Sequence, residues 1–102
     1  MDLEEISFHI ILSGGNARSL AMEAMNHAKM GEFDLAEQKI EEANEEMTKA
    51  HRFQTELIQG EAQGEKIEIR LLLIHAQDHL MNAITVIDLA KEIIELHKKL
   101  MN

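Results

Sequence analysis

The sequence predicts an all-α protein: an antiparallel three-helix bundle formed as one domain by residues 1–102. The chain has no proline and only five glycines among its 102 residues. Ala, Leu, Ile, Met, Glu and Lys dominate, and these residues favour helices. Apolar residues recur every three or four positions along three long segments, as on one face of a helix. Because the connections between the segments are short, consecutive helices should lie antiparallel.

The first helix is predicted at about residues 3–29. Gly14 and Gly15 fall inside it, and each glycine in a helix interior costs about 1 kcal/mol relative to alanine. The pair therefore predicts a kink, a break or a close approach of another backbone. The apolar stripe of this helix consists of Leu3, Ile6, Ile10, Ala17, Leu20, Ala24 and Ala28.

The second helix is predicted at about residues 33–59, after Gly31 and before Gly60 and Gly64. Asp34 and Glu37 have the spacing of a capping box at its start. Gln54 is the one polar residue in the apolar stripe. The other stripe positions are Phe33, Ala36, Ile40, Ala43, Met47, Ala50 and Leu57.

The third helix is predicted at about residues 66–100 and is the most apolar of the three. Between Leu71 and Ile87 its only formal charge is Asp78. Its apolar side chains point nearly all round the helix, whereas two neighbouring helices can cover only part of that surface. The sequence therefore predicts that further copies of the chain pack against this helix.

The charge and composition exclude several classes of function. The formal net charge is -9, which disfavours nucleic acid, since binding it requires many Lys and Arg contacts to phosphate. A protein partner with a basic face is the natural complement. The absence of cysteine excludes disulfides and thiolate metal sites. No uncharged apolar run approaches the roughly 20 residues of a membrane span, and the acidic start lacks a signal-peptide pattern, so a cytoplasmic location is expected.

A polar group interrupts the apolar stripe of the third helix. His75, Asp78, His79 and Asn82 share a wedge of about 100°, and a buried polar group is costly unless it is satisfied or used. The two histidines have metal-ligand spacing, but Ala76 occupies the position where zinc hydrolases carry a catalytic glutamate. The remaining chemistry is histidine as a nucleophile that forms a phosphoryl–nitrogen bond. Four other histidines are interpreted as structural or solvated: His9, His27, His51 and His97.

Three segments resemble a known family in the right order. "LLLIHAQDHLMNA" is similar to the active-site helix of the enzyme IIA components of the lactose/cellobiose class of the bacterial sugar phosphotransferase system. "SGGNARSLAMEAMNHAKMGEFDLAEQKIEEAN" resembles the first hairpin of that family, and "AHRFQTELIQGEAQGE" resembles the end of its second helix. Ala76 after the first histidine resembles the cellobiose/chitobiose branch more than the lactose branch.

The resemblance implies functions for His75, Gln77, Asp78 and His79. The protein would be a homotrimer of three-helix bundles and a phosphotransferase component. His75 would accept a phosphoryl group from the phosphocarrier protein HPr and pass it to a cysteine of enzyme IIB, while the membrane enzyme IIC imports the sugar. Asp78 matches the family's metal-binding aspartate at the trimer axis, where oxygen ligands suit Mg²⁺. Gln77 and His79 match supporting polar residues near the phosphoryl site.

Two alternatives from other classes remain open. One is a histidine phosphotransfer domain of two-component signalling, which would exchange phosphate with a response regulator. The other is a non-enzymatic helical bundle that binds a metal or a partner helix, and it predicts no acid-labile phosphate on any histidine. Within the sugar-transport interpretation the sequence does not identify the sugar, because the sugar contacts belong to enzyme IIC.

Overall fold

Three α-helices form an elongated bundle of 54 × 19 × 17 Å in a computed structural model that describes residues 2–101. The helices are α1 (Leu3–Lys29), α2 (Phe33–Ala62) and α3 (Leu71–Met101). Consecutive helices run antiparallel, and no strand is present among the described residues. The predicted all-α bundle is confirmed, and its length is that expected for helices of this size at 1.5 Å per residue.

The first two helices begin differently. The carboxylate of Asp2 caps α1 by accepting the backbone N–H groups of Glu4 and Glu5 at 3.0 and 3.4 Å. At the start of α2 the cap residue is Glu32, and it makes no capping hydrogen bond through its side chain. The predicted capping box at Asp34 is therefore wrong, because the cap position lies two residues earlier at Glu32 and Asp34 falls inside the first turn.

The connection between α2 and α3 is longer than predicted. The second helix continues through Gly60 to Ala62, and Gly64 then turns the chain with a φ of 97°. Residues 65–70 are not helical, so the predicted start near residue 66 is wrong by about five residues. Glu68 and Arg70 form an ion pair at 2.8 Å, and residues two apart do not face each other on a helix. The Arg70 guanidinium also lowers the pKa of Glu68.

The core consists of two apolar clusters. Alanines with no exposed surface dominate the one nearer the α1–α2 turn, and such small side chains let the helices approach closely. The second cluster lies at the other end of the bundle and supports the part of α3 that carries the polar group. Its buried members are Ile6, Ile10, Ala50, Leu57, Leu73, Ala76 and Leu80.

The glycine pair in α1 marks a close backbone approach rather than a break. Helix α1 continues through both positions. A Cβ atom on Gly14 would lie 3.5 Å from the carbonyl carbon of His79 and 3.6 Å from the amide nitrogen of Leu80, whereas one on Gly15 would meet nothing within 4 Å. Gly14 thus brings α1 against the backbone of α3 at the second histidine.

One face of α3 stays uncovered in the single chain. Leu71 is 82% exposed, and Ile74, Met81, Leu89 and Leu96 are each between 54% and 56% exposed. This agrees with the expectation that two neighbouring helices cannot cover α3. Along residues 2–101 no helix has both the length and the apolar character needed to cross a membrane.

Candidate functional site

The two histidines singled out in the sequence lie one turn apart on α3 and touch each other. The Nε2 atoms of His75 and His79 are 3.1 Å apart. Their ring centroids are 4.5 Å apart and the ring planes meet at 89°. A neutral imidazole has one N–H donor and one acceptor nitrogen, so one ring donates to the other. His75 is exposed and His79 is half-buried, which leaves His75 open to a partner.

The neighbouring polar residues border a shallow cavity of about 380 Å³ on the exposed face of α3. His75, Gln77 and Asp78 all line it, so the structure brings three of the four predicted site residues to one surface. Leu71, Ile74 and Met81 supply the apolar part of the lining. The site therefore presents polar groups within an apolar surround that is open to solvent.

Gln77 is tied to the second helix. Its Oε1 accepts a hydrogen bond of 2.8 Å from Nε2 of Gln54, and the contact is partly buried. Sequence reasoning identified Gln54 as the polar residue in the apolar stripe of α2 but gave it no function. A polar residue in an apolar stripe was the only sign in the sequence that Gln54 has a specific contact.

The polar group is not buried in one chain. His75, Asp78 and Asn82 are all exposed, so the expected cost of burying polar atoms does not arise here. Such a cost would exist only in an assembly that covers this face. The polar group does interrupt the apolar stripe of α3, as expected, but it is not buried in one chain.

Residues 2–101 of one chain do not form a metal centre by themselves. Among residues 2–101 there is no group of three or more His, Cys, Asp or Glu side chains that could hold a metal ion. Asp78 is exposed, and its carboxylate has no hydrogen bond or ion pair within that range. A cation at Asp78 would therefore need ligands from other copies of the chain.

Two of the remaining histidines have structural contacts. The ring of His9 stacks on Phe53 with centroids 4.7 Å apart and planes 4° from parallel. Nδ1 of His27 lies 3.1 Å from Oε1 of Glu32 and joins the end of α1 to the turn that follows it. These contacts agree with the structural interpretation of His9 and His27.

Comparison with known proteins assigns this bundle to the sugar phosphotransferase system. Residues 5–98 match the family described as "PTS system, Lactose/Cellobiose specific IIA subunit". The chain belongs to this family, which confirms the resemblance found in the sequence.

Three similar proteins illustrate the relationship. The lichenan-specific phosphotransferase enzyme IIA component of Bacillus subtilis is 60% identical over 99 residues, which cover 97% of this chain and 90% of that protein. The crystal structure of the cellobiose-specific enzyme IIA from Bacillus anthracis has a TM-score of 0.95 and 58% identity, with coverage of 99% and 94% of the two chains. The chitobiose IIA component of Escherichia coli, solved in complex with HPr, has a TM-score of 0.87 and 40% identity, with coverage of 100% and 99%.

Proposed function

We propose that this protein accepts a phosphoryl group from phospho-HPr on His75 and transfers it to a cysteine of enzyme IIB in the cytoplasm. The observation that carries the proposal is the exposed His75 ring, held on a regular helix with its Nε2 against His79. The solved complex of a relative with HPr supports the choice of donor. Enzyme IIC would then couple the phosphate to sugar uptake.

The transfer is a pair of displacements at phosphorus. An unprotonated ring nitrogen of His75 attacks the phosphoryl group, a P–N bond forms, and the P–N bond in the donor breaks with its electrons left on the donor imidazole. In the second step a cysteine thiolate of enzyme IIB attacks, and the bond to His75 breaks. Neutral imidazole is available for this chemistry near pH 7.

The hydrogen bond between the rings supports the proposal that His79 assists His75. If His79 donates its Nε2 hydrogen to Nε2 of His75, that nitrogen is the unprotonated one, and the His79 N–H must move off its lone pair as the phosphorus atom approaches. After transfer the same N–H lies close to the phosphoryl oxygens and can donate to one of them, which is a charge-assisted hydrogen bond. His79 thus orients the nucleophile and then stabilises its product.

A homotrimer around α3 is part of the proposal. At 100° per residue, Leu71, Leu89 and Leu96 lie within about 20° of Asp78 around the helix. These residues form the midline of the exposed face, and all three leucines are more than half exposed in one chain. Three copies packed along this midline would bury the leucines and bring the three Asp78 carboxylates together.

The same helical geometry explains why assembly would complete the site. His75 lies about 60° to one side of Asp78, and Gln77 lies about 100° to the other side. Around a three-fold axis each helix turns one flank toward the opposite flank of the next helix. The flank with His75 in one copy would therefore face the flank with Gln77 in its neighbour.

A divalent cation, Mg²⁺ by preference, is proposed at the axis. Three carboxylates offer only oxygen atoms, which suit a hard cation. Asp78 fits this function because its carboxylate is exposed at the midline and has no partner within residues 2–101. When bound, the ion would supply positive charge that holds the three subunits together.

The transported sugar is proposed to be a β-linked disaccharide of the cellobiose or chitobiose type. The support is Ala76 beside the active histidine and the names of relatives, which are described as specific for lichenan and cellobiose. A lactose-specific relative from Staphylococcus epidermidis is 48% identical. Growth and phosphorylation-dependent uptake with cellobiose, chitobiose and lactose, in a strain lacking this gene, would distinguish these sugars.

The decisive experiment is phosphorylation of His75→Ala. With phosphoenolpyruvate, enzyme I and HPr, the wild type should gain one acid-labile phosphate by intact mass, and His75→Ala should gain none while keeping its helical circular dichroism. His51→Ala is the matched control, because it removes an exposed histidine from α2 and should still be phosphorylated. A phosphorylated His75→Ala protein would refute the assignment. Exchange with a response regulator but not with HPr would favour the signalling domain.

A further inference from the structure

Gln54 makes a hydrogen bond that has no part in the phosphoryl transfer proposed above. It lies half-buried in the otherwise apolar stripe of α2, and its Nε2 donates to Oε1 of Gln77 at 2.8 Å. Among the side-chain hydrogen bonds between helices in residues 2–101, this one alone is partly buried. Two amides placed together under the site suggest a function in orienting Gln77.

The direction of the hydrogen bond determines what Gln77 offers to the cavity. A primary amide has one acceptor oxygen and an NH₂ group with two donors. Because Gln54 donates to Oε1 of Gln77, the oxygen is engaged toward α2 and the NH₂ group of Gln77 is left free. Gln77 borders the exposed face of α3, so at its own position the face is offered donors rather than an acceptor.

A phosphoryl group is stabilised when the Gln77 amide presents its NH₂ group. Its oxygens are anionic acceptors, and hydrogen bonds to charged groups are roughly twice as strong as those between neutral groups. An amide turned the other way would place its own oxygen against the phosphoryl oxygens. The alternative orientation is therefore repulsive where the observed one is attractive.

We propose that Gln54 is a positioning residue that fixes the amide of Gln77 with its NH₂ group toward the phosphoryl group carried on His75 of the neighbouring copy in the proposed trimer. Gln54 itself does not touch the phosphoryl group. This inference rests on the proposed function, because it assumes that His75 is phosphorylated.

The test compares replacements that keep or reverse the hydrogen bond. In Gln54→Glu the ionised carboxylate only accepts, so Gln77 must turn its NH₂ group inward and its oxygen outward. Gln54→Lys keeps a donor of similar length at the same position. The measured quantity is the equilibrium constant for transfer of the phosphoryl group from phospho-HPr to this protein. It is read from the intact masses of both proteins after equilibration.

We expect Gln54→Glu to lower this equilibrium constant about tenfold, which corresponds to about 1.4 kcal/mol, and Gln54→Lys to stay within about twofold of the wild type. The effect of the new charge is separated from the effect on Gln77 by repeating Gln54→Glu in a Gln77→Ala background. There the substitution should have no further effect, since residues that act through one another are non-additive. Circular dichroism melts of each variant show whether it is folded.

The possible results separate the two proposals. A wild type that takes no phosphate from phospho-HPr overturns both the proposed function and the inference. A phosphorylated wild type with an unchanged equilibrium constant in Gln54→Glu overturns only the function of Gln54. An equal loss in the Gln77→Ala background also overturns it, because Gln54 would then act by charge or folding and not through Gln77.

Discussion

Replacing Asp78 by leucine tests whether the exposed face of α3 is an assembly surface. The carboxylate lies on the midline of the face, in line with the exposed leucines at positions 71, 89 and 96. In a three-fold assembly it would meet two copies of itself. Leucine has a similar size, no charge, and the same chemical character as the rest of the midline.

The electrostatic cost of assembly follows from the number of carboxylate pairs. Two like charges 4 Å apart repel by about 4 kcal/mol at an effective dielectric constant of 20, so three such pairs oppose assembly by about 12 kcal/mol. A cation must offset this repulsion, or the carboxylates must take up protons. Leucine removes the repulsion, and burying each leucine adds about 1.5–3 kcal/mol. We therefore expect Asp78→Leu to form a trimer at least as stable as the wild type, since apolar replacements of buried charges are often stabilising.

Light-scattering mass and melting temperature measure the two effects. Both proteins are compared with and without chelator at one protein concentration, because the melting temperature of an oligomer depends on concentration. Chelator should lower the melting temperature of the wild type and leave Asp78→Leu unchanged. Asp88→Leu, which removes an exposed carboxylate of α3 away from the midline, is the matched control and should respond to chelator like the wild type. A wild type indifferent to chelator would refute the axial cation, and a monomeric Asp78→Leu would refute the packing reasoning.

Three further predictions concern charge, catalysis and stability. The rate of transfer from phospho-HPr should fall as the salt concentration rises, because an acidic surface steers a basic partner and salt screens this attraction. If stopped-flow rates do not depend on salt, the net charge of -9 serves solubility only. His79→Ala should slow phosphorylation of His75 by about tenfold without abolishing it, because one charge-assisted hydrogen bond is lost; a loss as complete as in His75→Ala would contradict a supporting function. Ser7→Ala should raise the free energy of unfolding by about 1 kcal/mol in urea titrations, because the Ser7 hydroxyl is buried with no partner among residues 2–101 and an unsatisfied buried group is costly. The exposed Ser19→Ala is its control and should change stability less.

The helices were predictable because their signal is periodic. The three- and four-residue spacing of apolar residues placed α1 and α2 within a few residues of their observed ends. The start of α3 was not predictable, because residues 65–70 have no glycine or proline to stop a helix. There the side chain of Ile67 packs against the core cluster beneath the site, and this tertiary contact outweighs local helix propensity.

The site was predictable where it lies on one helix and not where it spans two. His75, Asp78 and His79 are separated by three or four residues, so helical geometry alone brings them to one face. The bond between Gln54 and Gln77 joins residues 23 positions apart, and it depends on how α2 and α3 are rotated about their axes. Periodicity identifies the polar break at Gln54 but contains no information about its partner.

On α3 the midline would serve trimer assembly, and the flank with His75 would serve phosphoryl transfer. Asp78 lies at the centre of the exposed face, whereas His75 lies about 60° to its side, so assembly and phosphoryl transfer should depend on different residues. His75→Ala should therefore keep the light-scattering mass of the wild type while accepting no phosphate, and Asp78→Leu should keep that mass and still be phosphorylated by phospho-HPr. Dissociation of His75→Ala would mean that the flank also holds the subunits together. Loss of phosphorylation in a trimeric Asp78→Leu would place the midline carboxylate in the transfer itself.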